Sequence, residues 1–202
     1  EQWLHDFPLF LGINKKNPPQ IAIWLEDTQG NYLSTVYVTH KIATQSWQAS
    51  GGNRRKEALP HWCYSRGVKY DDGLYLPTKK EPLIDGISGA TPHESFDIKL
   101  NPATALKKFV VKIEINHSTD FNEAFPKSAK DGEANYSGGK EGSGQPAIVY
   151  AANVDLSKGE KSFEANLMGH SSPDGSSGEV NKDTSGLTTA LHIVKRITVI
   201  IQ

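Results

Sequence analysis

Strict alternation of apolar and polar residues recurs along this chain, and it limits the fold more than any other feature of the sequence. Residues 20–27 set Ile21, Ile23 and Leu25 against Ala22, Trp24 and Glu26. Residues 109–115 set Phe109, Val111, Ile113 and Ile115 against Val110, Lys112 and Glu114. Ile148, Tyr150, Ala152, Val154 and Leu156 share one side of a later stretch. Successive strand side chains point to opposite faces, so each stretch predicts a strand. The Asp27-Thr28-Gln29-Gly30-Asn31 turn joins the first of these to a return strand at 32–41, which makes a hairpin. Weaker patterns at 95–100, 162–168 and 190–201 add strands, and 3–13, broken by Pro8, reads as an edge strand or an arm. Short helical turns are expected at 56–59, ended by Pro60, at 101–106, capped by Asn101, and at 120–125. Strands do not alternate with long helices. The pattern therefore predicts an all-β fold, an antiparallel sandwich with long loop insertions, with an antiparallel barrel as the alternative.

At 202 residues the chain is long enough for one large β domain, and it reads as one, spanning 1–202. Regularity lapses at about 42–81, where Trp47 and Trp62 need burial, so this insertion is expected to fold back over a sheet. The stretches at about 128–144 and 171–186 are rich in Gly, Ser, Lys and Asp and read as mobile surface loops. The 22 basic and 23 acidic residues balance, with no basic stripe of the kind nucleic acid selects, so no nucleic-acid partner is expected. No apolar run is long enough for a membrane-spanning helix. The single cysteine, Cys63, excludes an internal disulfide framework and any site built from several thiolates.

Most catalytic signatures fail on spacing. In Gly86-Ile87-Ser88-Gly89 the second glycine comes one place too early for a nucleophile elbow. The Gly138-Gly139-Lys140 loop lacks the spacing and the following hydroxyl of a phosphate-binding loop. None of His5, His40, His61, His93, His117, His170 and His192 is paired at metal-site spacing, so no metal is expected. Asp71-Asp72 and Glu123 are isolated acids, and Asp174 to Glu179 lacks the acidic rhythm of a calcium loop. No catalytic constellation is readable.

One segment departs from ordinary strand-and-turn sequence. In Asp85-Gly86-Ile87-Ser88-Gly89-Ala90-Thr91-Pro92, the run from Ser88 to Thr91 offers little beyond backbone and hydroxyls. It resembles the acceptor motif of bacterial flavin transferases, an Asp followed by two variable residues and then Ser-Gly-Ala-Thr. The resemblance implies FMN joined to Thr91 through a phosphodiester, made from FAD by a separate Mg²⁺-dependent transferase. Asp85 would serve recognition, and Ser88 and Gly89 would complete the slim site. A flavin transferase and a redox partner protein are the implied partners. His61 and Trp62 are candidates to shield the flavin ring. Read from its residues alone, the segment is a glycine-containing turn entering the next strand.

A second resemblance covers more of the chain. Pro19 to Asp27, the Tyr37-Val38-Thr39 strand, Glu57 to Trp62, the segment just described and Gln145 to Ala151 together resemble a family of predicted bacterial periplasmic proteins of unknown function. Its members are likened to the immunoglobulin-like domain of a flagellar hook-assembly protein. That resemblance implies an immunoglobulin-like sandwich located in the periplasm or at the cell surface, and no activity. The rival functional expectation is a protein- or glycan-binding module that works through the 42–81 insertion without a cofactor.

Overall fold

The computed structural model describes residues 3–8, 14–47, 54–83, 87–90, 92–99 and 106–201. In chain order its elements are β1 (His5–Pro8), β2 (Asn14–Asn17), β3 (Gln20–Glu26), β4 (Tyr32–Thr39), α1 (His40–Thr44), α2 (Pro60–Ser65), β5 (Ile87–Gly89), β6 (Lys108–Asn116), β7 (Ile148–Asp155), β8 (Ser162–Glu164), β9 (Asn166–His170) and β10 (Thr198–Ile200). The fold is mostly β. Six strands form one sheet in the order β5-β4-β3-β6-β7-β9. Its neighbours run antiparallel except for β4 and β5, which are parallel, so the sheet is mixed rather than purely antiparallel. The pairs β1-β2 and β8-β10 are separate two-stranded sheets.

Both faces of the large sheet are covered, because β3 sits at its centre and buries residues on each side. One face carries Ile21, Leu25, Val111, Ile113, Ile115, Ile148 and Val154. The chain's C-terminal part closes over it through Phe163, Leu187 and Ile193, with Val199 of β10 packed alongside. The other face carries Ala22, Trp24 and Val38, covered by Ile42, Leu59, Trp62, Cys63 and Leu76 of the 42–81 insertion. The insertion thus does fold back over the sheet: Trp62 is fully buried and Trp47 half-buried.

Several elements differ from the alternation-based expectation. Pro60 does not end a helical turn; it opens α2 in the first-turn position, where a missing amide proton costs nothing. Residues 120–125 make a turn held by the Asn122 side chain, which accepts the Phe125 amide proton, and not a helix. The stretch 162–168 splits at Ala165 into β8, which pairs with β10, and β9, which pairs with β7. Residues 189–192 form a 3-10 turn, so the last strand begins only at Thr198. Residues 95–99 lie irregularly along the edge, and the turn expected at 101–106 lies outside the described residues apart from Leu106.

The register brings several strand ends together at one end of the sheet. Gly89 pairs with Thr39, Gln20 with Asn116, and His170 with Ile148. The ends of β5, β4, β6 and β9 therefore share a rim. At about 4.8 Å per strand, the rim runs roughly 24 Å from β5 to β9. Gly169 marks its β9 end. Its φ of 142° lies in a region side chains avoid, and a Cβ there would collide with the Asn181 carbonyl.

Candidate functional site

The segment after β5 runs along the edge of the sheet. Ser88 and Ala90 are exposed and Gly89 half-buried; His93 and Glu94 beyond it are exposed again. Asp85 and Thr91 lie outside the described residues. The carbonyls of Ala90 and Pro92 are both anchored. The Tyr37 hydroxyl donates to the Ala90 carbonyl at 3.0 Å, and the Trp3 indole N–H donates to the Pro92 carbonyl at 2.8 Å. Burial raises the pKa of Tyr37, which keeps its proton available for that bond. Phe96 packs between the two anchors, its ring centroid 5.8 Å from that of Trp3 and 6.2 Å from that of Tyr37. A side chain at Gly89 would press on the Tyr37 ring, 3.3 Å from a built Cβ, so a small residue is needed where strand and ring meet.

Trp3 connects this segment to a buried polar group farther along the rim. Its carbonyl accepts a hydrogen bond from His117 Nε2 at 3.1 Å, so that nitrogen carries a proton. His5 stacks on His117 with centroids 5.2 Å apart. Asp120 faces both rings, each nitrogen-to-oxygen distance being 3.9 Å, and its other bond comes from the Thr189 hydroxyl at 2.6 Å. Burial opposes the Asp120 charge, but His117, Thr189 and His5 outweigh it and lower its pKa. Burial lowers the pKa of His5, with Asp120 offsetting part of the shift. The group continues into Gln145, which accepts the Thr188 amide proton at 2.6 Å and bonds Thr189 through its own amide. This polar layer ties the β1 arm and the β6 end to the C-terminal part of the chain.

The opposite face holds α2 and a set of buried charges. Glu114 of β6 is fully buried beneath the start of α2, where it accepts the His61 and Trp62 amide protons at 3.2 and 2.8 Å. Burial outweighs these bonds and pushes its pKa up to about 7. His61 is fixed by the Gly178 carbonyl at 2.7 Å and by Lys112, whose ammonium also lies 3.7 Å from Glu26. Trp62 donates to Thr35 at 3.0 Å and exposes no surface. Trp62 is therefore unable to shield a ring bound at the edge, because its indole is used up in the core. The rings that do flank the edge segment are Trp3, Tyr37 and Phe96.

Among the described residues, no group of three or more His, Cys, Asp and Glu side chains is arranged to hold a metal ion. Among them, too, no helix is long and apolar enough to cross a membrane. Sequence reasoning reached the edge segment but missed its anchors. Trp3 and Tyr37 lie 89 and 53 positions from the carbonyls they hold, and only their aromatic character signals a need for a partner. Comparison with protein-family models, with curated proteins and with solved structures gives no match.

Proposed function

We propose that this chain is an extracytoplasmic, non-catalytic redox accessory protein that carries FMN covalently on Thr91. Support comes from the two anchored carbonyls at Ala90 and Pro92, held by Tyr37 and Trp3, with Ser88 and Ala90 exposed to solvent. An acceptor needs a hydroxyl on a slim, accessible segment; Ser88, Gly89 and Ala90 supply the slimness, and the Asp85-to-Thr91 motif supplies the resemblance. In the transfer, the Thr91 oxygen attacks the FMN-side phosphorus of FAD and the bond between the two phosphates breaks. AMP leaves, and the hydroxyl proton passes to a base of the transferase. A threonine hydroxyl is too weak an acid to do this alone, so the external enzyme and its Mg²⁺ supply activation. The bound flavin would provide electron transfer. This chain's part is to hold the phosphate-bearing residue and to offer the half-buried Trp3 and Phe96 as neighbouring aromatic surface.

The finer fold reading belongs to the same proposal. An immunoglobulin-like sandwich is supported by the β8-β10 pair, whose Phe163 and Val199 face the core shared with the large sheet. The periplasm or cell surface is the compartment where such a domain would meet a flavin transferase and a redox partner.

Coexpression with a flavin transferase tests the reading. The chain should retain flavin fluorescence in a denaturing gel, and Thr91→Val should lose it while keeping the wild-type unfolding midpoint. A non-fluorescent wild type beside a fluorescent acceptor control would reject the flavin reading.

A further inference from the structure

The opposite end of the rim carries a separate feature. The loop 171–186, leaving β9, encloses with Phe125 and Leu187 a cavity of about 640 Å³. Small-molecule sites fall in the range of about 300–1,000 Å³. The charged lining is of one sign: Glu179 and Asp183 contribute, and no lysine or arginine does. Among the described residues, neither carboxylate is in an ion pair with a cationic side chain. The Ser185 amide donates to Asp183 at 3.0 Å and, with the Ser185 side chain, holds that carboxyl below its ordinary range.

His170 is the second, independent observation. It is only 6% exposed, yet it lines the cavity. Its Nδ1 lies 2.8 Å from the Ser171 carbonyl, which can only accept, so Nδ1 carries the ring proton. Among the described residues Nε2 has no hydrogen-bond partner, so with the proton on Nδ1 it offers a bare acceptor. Phe125 meets the ring edge-on at 6.3 Å and with Leu187 gives the cavity an apolar side. Two carboxylates and an imidazole lone pair are all acceptors, so the complementary ligand brings donors and positive charge. An anion is excluded by the same chemistry.

We propose that this cavity binds a small organic cation of the amine class, with ammonium groups held by Glu179 and Asp183 and a further N–H taken by His170 Nε2. The site lies at the β9 edge of the sheet, opposite the β5 edge, and the proposal does not depend on the flavin reading.

The test is calorimetric titration of the unmodified chain with 1,4-diaminobutane, beside its neutral counterpart 1,4-butanediol. The diamine is expected to bind saturably at one site and the diol at least about tenfold more weakly, the factor that one charge-assisted hydrogen bond provides. Asp183→Asn and Glu179→Gln should each weaken the diamine about tenfold. Both side chains are exposed, so the variants should keep the wild-type unfolding midpoint. His170→Phe, which keeps an aromatic ring but removes the acceptor nitrogen, should also weaken binding. Absence of saturable diamine binding, equal binding of the diol, or an unchanged affinity in the Asp183→Asn/Glu179→Gln double variant would each overturn the proposal.

Discussion

Glu114 shows how strongly one buried side chain can shape this molecule. Its pKa of about 7 in the folded chain stands above the ordinary 4.5, because burial penalises the charge more than the His61 and Trp62 amides favour it. In acid the carboxyl is protonated in both states. As pH rises past 4.5 the unfolded chain releases the proton while the folded chain keeps it, up to about 7. Stability is therefore lost across that window and levels off above it, by about 3 kcal/mol from the free energy per pKa unit. Urea midpoints compared at acid and slightly alkaline pH should show this decline in the wild type and a smaller one in Glu114→Gln; parallel curves would contradict it. Cys63 behaves differently. Burial and nearby Glu114 push its thiol well above the usual range, so alkylation should proceed only as fast as the chain unfolds. Rapid labelling of folded protein would show that the thiol is accessible. Trp3 belongs to the proposed flavin site, where an adjacent indole should quench the attached ring. In flavin-loaded chain, Trp3→Leu should raise the emission, and unchanged emission would remove Trp3 from the site.

At the level of elements, α2 shows what alternation leaves hidden. Lys112 and Glu114 read in the sequence as the polar side of a strand, but α2 and the insertion cover that side and turn it into a second core. The sequence did carry part of this, since Trp47 and Trp62 demanded burial. The exact path was illegible because Pro60 either ends or starts a helix, depending on where the chain turns. Truncating the buried indole in Trp62→Ala should cost about 3–5 kcal/mol, measured by chemical denaturation, with the Thr35 hydrogen bond also lost. A loss below about 1 kcal/mol would mean that the insertion packs only loosely. The parallel strand β5 was equally hidden. Ile-Ser-Gly is too short for a periodic signal, and only the partner β4 defines it. The long antiparallel strands β3, β6 and β7 were readable because each carries a row of core residues at every second position along its length.

For the whole molecule, a mixed sheet between two cores leaves one rim along which three polar features lie. Its β5 end holds the anchored edge segment, its middle the His5, His117 and Asp120 group, and its β9 end the cavity beside His170. The edge segment could be picked out from the sequence because small residues in a row are locally recognisable. The His5, His117 and Asp120 group could not, since its members come from β1 and the segment just after β6, and only tertiary packing brings them together. Intact-mass measurement of the chain coexpressed with a flavin transferase tests the central claim most directly. The account predicts a gain of one FMN less one water, lost completely in Thr91→Val. A wild-type mass without that gain, measured where a known acceptor is fully modified, would contradict it.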